Sequence, residues 1–229
     1  FWTDRSKREE AWLASANRRY KDAGRTDEIF DTLVGLRHQI ALNAGHANYR
    51  DYAFQSLNRF DYGAKECFEF HDAIADHIVP LVEKMHSKRK QDLRLDVLRP
   101  WDGAVDVKAR PPLKAFETSE QLMRRSCSAL DAVDPDFGET LRVMDRAGRI
   151  DLFTRPNKQP GGYMMSLPES RIPFIFANAT HKVDDMVTLI HEVGHAVHCV
   201  LADDIKKVDY CNIPSEGAEL ASMSMELLT

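Results

Sequence analysis

Two histidines and a glutamate stand close together in the sequence His191-Glu192-Val193-Gly194-His195. Residues four apart on a helix share one face, one turn apart, so both imidazoles can reach a single ion with metal–nitrogen distances of about 2.0–2.1 Å. Glu192 points roughly 100° further round the helix, where it can address a water on the ion but not the ion itself. The spacing therefore predicts two ligands of a zinc site, with Glu192 as the general base of a hydrolysis.

The pattern alone also arises in helices whose histidines cap, pack or face solvent. Its surroundings favour the metal, because they predict a buried helix, and buried imidazoles and carboxylates need a partner that offsets their desolvation. A zinc ion held there would polarise a scissile carbonyl and lower the pKa of its water towards about 7, while Glu192 passes the proton to the leaving amine. The flanking apolar residues are Met186, Val187, Leu189, Ile190, Val193, Val197 and Val200.

A catalytic zinc site of this kind needs a third protein ligand and one open position. A second predicted helix, which begins near Ser215, offers Glu216 and Glu219, and the spacing does not choose between them. His198 lies one turn beyond His195. We expect it to pack or to support a ligand, because it would have to reach back along the helix axis to bind the ion.

The elements that carry these residues read as mostly helical up to about residue 150. From Lys65 to Met85 apolar residues recur every three or four positions, which predicts a long helix with a buried stripe and a kink at Pro80. Beyond Gly148 the runs are shorter, and Ile172 to Asn178 is the best strand candidate. Other predicted helices cover Arg8 to Tyr20, Glu28 to Leu42 and Ser119 to Val133.

The expected fold class is therefore mainly α, with a small β-sheet beside the zinc helix. We expect one partial domain, with a helical scaffold over residues 1–150 and the sheet and zinc-binding helices over 151–229. The loop-rich segment from Arg99 to Pro112 is expected to be a joint inside it. Gly161-Gly162-Tyr163 is either an ordinary loop or part of a substrate cleft. The strand from Phe174 to Asn178 can offer a free edge to an extended peptide by strand addition.

Composition excludes several other classes of protein. The 31 Lys and Arg residues face 36 Asp and Glu residues, and the net charge of −5 leaves no broad cationic surface for nucleic acid. No apolar run approaches the roughly 20 residues that cross a bilayer, and the first residues do not read as a signal peptide. A cytoplasmic protein without a nucleic-acid or membrane partner is expected, of unknown oligomeric state. Buried reduced thiols are expected at Cys67, Cys127, Cys199 and Cys211.

The run from His191 to His198 resembles the signature of the thimet oligopeptidase and oligoendopeptidase F family of zinc metallopeptidases. The resemblance covers most of the chain and is closest to the oligoendopeptidase F branch. Weaker similarity reaches back to Gly45–Tyr52 and Pro100–Asp102. The other segments that carry it are Gly161-Gly162-Tyr163, Pro173–Asn178, Asp184-Asp185, Pro214–Glu219 and Ala221–Leu227.

This resemblance implies a single zinc ion bound by His191, His195 and Glu219, with Glu192 as the base. It selects Glu219 because the family's glutamate stands five residues after the proline that is here Pro214. It also implies a zincin-type, largely helical fold with a small β-sheet beside a deep zinc channel, and endopeptidase cleavage of short peptides.

Members of the family continue beyond the glutamate-bearing helix, with tyrosine and histidine side chains that bind substrate and stabilise the oxyanion. We therefore expect the chain to be a fragment of the catalytic domain, without its N- and C-terminal parts. The alternative is a truncated or relic zinc-binding helical domain without self-sufficient catalysis.

Overall fold

The computed structural model describes residues 3–205, 207, 210 and 213–229. The chain forms two compact units, Phe1–Pro111 and Pro112–Thr229. The division falls within the segment that the sequence predicts to be an internal joint, and not near residue 150. The reason is packing, because residues 116–144 contribute to the same hydrophobic core as the sheet and the histidine-bearing helix.

The first unit is helical, and the predicted helices before residue 43 are confirmed with earlier starts. The predicted helix around Pro80 is confirmed as two α-helices joined by a π-helical turn. A proline lacks an N–H and crowds the preceding turn, and the wider π turn directly before Pro80 accommodates it. The elements are α1 (Arg5–Tyr20), α2 (Ala23–Asn43), α3 (Tyr49–Ser56), α4 (Ala64–Ala73), the π turn (Ile74–Ile78), α5 (Val79–Asp92) and a 3-10 turn (Pro100–Asp102).

The predicted buried stripe along this helix is wrong. Phe70 is 65% exposed and Met85 is 70% exposed, and Ile78, Leu81 and Val82 are exposed as well. An apolar stripe identifies the face that favours burial, but the described residues leave this face open to solvent.

A buried carboxylate holds the end of the first unit to its beginning. The side chain of Asp102 is fully buried and accepts hydrogen bonds from Arg5 Nε and Nη2, both at 2.9 Å. It also accepts a bond from the backbone N–H of Arg99 at 2.9 Å. The bonds from Arg5 hold the pKa of Asp102 below its ordinary value. The ion pair therefore fixes α1 against the 3-10 turn.

The second unit contains the sheet. Its strand order is β1-β3-β2, with β1 parallel and β2 antiparallel to the central β3. The predicted strand is confirmed, but its predicted free edge is wrong, because both sides of β3 are paired. Within the described part of the chain, the outer edges of the sheet are those of β1 and β2. The elements are α6 (Ser119–Val133), α7 (Pro135–Arg146), β1 (Ile150–Phe153), β2 (Tyr163–Met165), β3 (Phe174–Ala179), α8 (Val183–Leu201) and α9 (Ser215–Leu228).

The core of this unit lies between the sheet and α8. Along β3 every second residue is buried, and Ile175, Ala177 and Ala179 join Leu189 and Val193 of α8 in one cluster. The prediction that the apolar flanks bury this helix is confirmed for Leu189, Ile190, Val193 and Val197, but Val187 and Val200 are 42% and 41% exposed. Asp185 caps the helix by accepting the backbone N–H groups of Thr180 and Lys182.

Two further expectations concern membrane segments and thiols. Among the described residues, none of the helices has both the length and the apolar character needed to cross a membrane. None of the three described cysteines, Cys67, Cys127 and Cys199, is in a disulfide, and they are half-buried and not fully buried as predicted. Cys211 lies outside the described residues.

Candidate metal centre

Helix α8 presents His191 and His195 on one face, as their spacing predicts. Their ring centroids are 4.8 Å apart and the rings meet edge to face at 87°. The side chains are 24% and 15% exposed, so both rings are largely shielded while an approach from one side stays open. Burial lowers the pKa of His195, which favours the neutral imidazole that a metal needs.

Helix α9 brings one glutamate to these two histidines. Glu219 Oε2 lies 3.4 Å from His191 Nε2 and 3.9 Å from His195 Nε2. One donor atom from each of the three residues lies within 4.8 Å of the others. Two atoms that each stand about 2.0–2.1 Å from a tetrahedral zinc ion are about 3.3 Å apart. The donor set therefore fits zinc, and Glu216 is not part of it.

Gly194 of α8 allows α9 to pack close enough for Glu219 to reach the two histidines. A Cβ added at Gly194 would lie 2.7 Å from the Cα of Ser222 and 3.0 Å from the Cβ of Met225. The two helices therefore touch almost backbone to backbone, with Ser222 fully buried between them. The Ser222 hydroxyl lies 3.2 Å from Glu219 Oε2, where it can donate to the carboxylate and orient it. Gly194 thus sets the distance at which Glu219 meets the histidines.

We expect Gly194→Ala to weaken both the fold and zinc binding. The added methyl meets backbone and not a flexible side chain end, so α9 must move, at a cost of about 1–3 kcal/mol. Gly217→Ala is the matched control on α9, because its methyl would meet only Ile213 Cγ2 at an ordinary 3.6 Å. Thermal unfolding and a competitive zinc titration measure both effects. Equal behaviour of the two variants would contradict this role of Gly194.

A second glutamate on α9 orients the first histidine. His191 Nδ1 lies 2.6 Å from Glu226 Oε1. A carboxylate only accepts, so Nδ1 carries the hydrogen and Nε2 keeps its lone pair for the metal side. The sequence argument missed Glu226. The available signal was its position seven residues after Glu219, two helical turns along the same face.

Glu192 lies beside the three donors and is 6% exposed. Burial raises its pKa, while the neighbouring His191 and the backbone N–H of Met164 act in the opposite direction. Its Oε1 would stand 3.4 Å from a Cβ added at Gly162. The sequence left open whether Gly161-Gly162-Tyr163 is an ordinary loop or part of a substrate cleft. In the structure, Gly162 of this segment lies against Glu192, the predicted general base.

His198 stays outside the group of donor atoms. Its Nδ1 is buried and finds no hydrogen-bond partner among the described residues. This placement agrees with a packing or supporting position one turn beyond the second ligand.

The histidine-bearing helix, the glutamate-bearing helix packed on it and the small sheet alongside form the mainly helical fold of zincin-type metallopeptidases, which confirms the expected fold class. The family is assigned from a match over nearly the whole length of the chain. This chain belongs to peptidase family M3, whose sequence profile matches residues 2–229. Together with the relatives described next, this match confirms the resemblance to the thimet oligopeptidase and oligoendopeptidase F family.

Similar proteins of known name or structure agree with this assignment. Oligopeptidase PepF of Bacillus subtilis is 25% identical over 95% of this chain, and the match takes up 33% of that protein. An oligoendopeptidase F homolog of Mycoplasma pneumoniae is 29% identical over 73% of this chain and 29% of its own length. The solved structure of PZ peptidase A with an inhibitor matches 97% of this chain and 40% of that one, with 28% identity and a TM-score of 0.91. The chain thus spans between 29% and 40% of these relatives.

Proposed function

We propose that this chain provides the catalytic metal centre of a zinc-dependent endopeptidase that hydrolyses peptide bonds in short oligopeptides. The observation that carries the proposal is the convergence of donor atoms from His191, His195 and Glu219 beside the buried carboxylate of Glu192. Relatives named as oligopeptidases support the substrate class.

His191, His195 and Glu219 would hold the ion, and three protein ligands leave a fourth position open. When bound, zinc supplies Lewis-acid chemistry, since it polarises a carbonyl and lowers the pKa of water to about 7. The bond from His191 Nδ1 to Glu226 keeps the ring oriented with Nε2 towards the site. Neutral imidazoles and a charged carboxylate together form a donor set that zinc prefers.

Glu192 is placed to move the proton. Its carboxylate accepts the proton of the attacking water and passes it to the nitrogen of the leaving amine. Burial raises the pKa of this carboxyl towards the working range of a general base. The N–H of Met164 faces the same carboxylate and limits that rise.

The free edge of β2 is the surface that supports binding of an extended peptide. It replaces the edge of β3, which the sequence favoured and which β2 itself covers. Tyr163 and Met165 are 42% and 48% exposed, and Met164 between them faces Glu192. Strand addition here recognises main chain and suits short peptides of varied sequence.

We expect a peptide-bound crystal structure to show main-chain hydrogen bonds between the peptide and Tyr163–Met165. The physical reason is that the outer side of an edge strand carries backbone groups that the sheet does not pair. Because the N–H of Met164 faces Glu192, the carbonyl oxygens of this segment are the expected partners. Peptide electron density at the metal centre without any such bond would remove strand addition from the proposal.

Metal analysis and peptide cleavage together test the function. About one zinc ion per chain, with cleavage of a quenched fluorescent peptide that a chelator abolishes, is the expected result. Zinc without cleavage would favour the alternative, a zinc-binding helical domain without self-sufficient catalysis. Absence of zinc would overturn both.

A further inference from the structure

The loop between β1 and β2 ends against the proposed general base. Because the strand order is β1-β3-β2, residues 154–162 pass over the C-terminal end of β3 to reach its other side. At Gly162 an added Cβ would lie 3.4 Å from Glu192 Oε1 and 3.3 Å from Thr188 Cγ2. The carboxylate therefore packs directly on the end of the loop, and a shift of the loop changes the surroundings of the base.

Asn178 stands at that end of β3 and holds the loop by two hydrogen bonds. Its Nδ2 donates to the carbonyls of Gln159 and Gly161, each at 2.8 Å. The two carbonyls flank Pro160, and Gly161 has a φ of +112°, a conformation that favours glycine. An amide nitrogen carries two hydrogens, so the short side chain of Asn178 satisfies both carbonyls at once.

A second anchor ties the same loop to a different place. The Nζ of Lys158 donates to the carbonyls of Asp151 and Phe153 at 3.1 Å and 3.0 Å, and it lies 4.4 Å from the centre of the Phe176 ring. These contacts hold the middle of the loop to β1 and β3. Asn178, in contrast, binds the residue next to Gly162, so its loss acts directly on the part that touches Glu192.

The backbone that carries Asn178 is itself well fixed. Its neighbours Ala177 and Ala179 are 4% and 3% exposed and belong to the hydrophobic core. The Ala179 carbonyl accepts a bond from the N–H of Thr154 at the start of the loop. The fixed backbone of β3 therefore sets the position of the Asn178 side chain, and the two hydrogen bonds of that side chain set the position of the loop.

We propose that Asn178 is a positioning residue for peptide hydrolysis, which holds Gly161 and Gly162 against the carboxylate of Glu192. The inference rests on the proposed function, because it gives Asn178 a part in presenting the base and the adjoining β2 edge to a peptide. Asn178 acts through the loop and not on the metal ligands. Its loss therefore lowers turnover without weakening zinc binding.

Asn178→Asp tests this directly. The variant keeps the shape of the side chain but turns a carboxylate towards two carbonyls, so both hydrogen bonds are lost. Asn157→Asp is the matched control: the same change of charge in the same loop, at an exposed residue whose φ of +66° aspartate also tolerates. The protein is assayed with zinc for kcat and KM, by competitive zinc titration, and without zinc by hydrogen exchange of residues 159–165.

We expect Asn178→Asp to lower kcat about 10²-fold, as a displacement near 1 Å at a reacting centre does, with a smaller change in KM. Zinc affinity stays at the wild-type value, and exchange in residues 159–165 rises. Asn157→Asp behaves as the wild type in all three measurements. A wild-type kcat in Asn178→Asp overturns the proposal, and so does a loss of turnover that only follows lost zinc.

Failure of the proposed function gives a different pattern. If the wild-type protein binds zinc but cleaves no peptide, the proposed function fails and the catalytic part of the inference falls with it. The hold of Asn178 on the loop is then judged by hydrogen exchange alone. Unchanged exchange in Asn178→Asp would overturn that as well. As a second variant, Asn178→Ala removes the donors without adding charge, and it must increase exchange in the same residues.

Discussion

Glu192→Gln is expected to keep zinc bound and to lose most peptide hydrolysis, about 10²–10⁴-fold in kcat. Glutamine has the same shape as glutamate, so it preserves the packing against Gly162. Its amide oxygen can still accept from the N–H of Met164. What it lacks is a basic oxygen that takes a proton from water.

Zinc binding and stability are expected to persist in this variant. Glu192 is not one of the three residues whose donor atoms meet, so the metal keeps its protein ligands. A neutral amide also avoids the desolvation that raises the pKa of the buried carboxylate, so the variant should unfold at no lower temperature than the wild type.

Kinetics on a quenched fluorescent peptide and a competitive zinc titration measure the two properties separately. Glu169→Gln, at an exposed residue of the same unit, controls for the change of charge. Undiminished turnover in Glu192→Gln would remove Glu192 as the base. Turnover lost together with zinc would assign Glu192 to support of the metal.

Local geometry explains which parts of the site the sequence predicts well. The pairing of His191 and His195 depends only on the helical repeat, so their spacing was sufficient. The choice between Glu216 and Glu219 depends on how two helices pack. The backbone contact between Gly194 and Ser222 makes that choice, and spacing does not contain it. The resemblance to a family selected Glu219 where the pattern of residues left both open.

The errors have a common physical cause. The stripe that includes Phe70 and Met85 was recognised as apolar, but periodicity does not tell what covers a face. The strand from Phe174 was recognised too, but strand order depends on the path of residues 154–162 over the end of β3. The sequence did not indicate the part that Asn178 plays for the same reason, because the two carbonyls that it binds are 17 and 19 residues away in the chain.

Glu219→Ala is expected to weaken zinc binding far more than Glu216→Ala. Glu219 Oε2 lies 3.4 Å and 3.9 Å from the two histidine nitrogens, so the variant loses a ligand. Loss of a group that merely supports a ligand costs about 10–100-fold in affinity, and loss of the ligand itself should exceed that. Turnover should fall with the metal, and added zinc should restore it in part.

We expect α9 to form in both variants, so their zinc affinities can be compared directly. Alanine favours helix, and in Glu219→Ala the Ser222 hydroxyl keeps the residue 219 carbonyl as an acceptor at 3.0 Å. Glu216 lies in the first turn of α9, where its charge stabilises the helix by about 0.3–1 kcal/mol. Glu216→Ala should therefore lower the unfolding temperature slightly and leave zinc affinity unchanged. The reverse order of zinc affinities would make Glu216 the third ligand, and it would require α9 to rotate about its axis relative to Gly194.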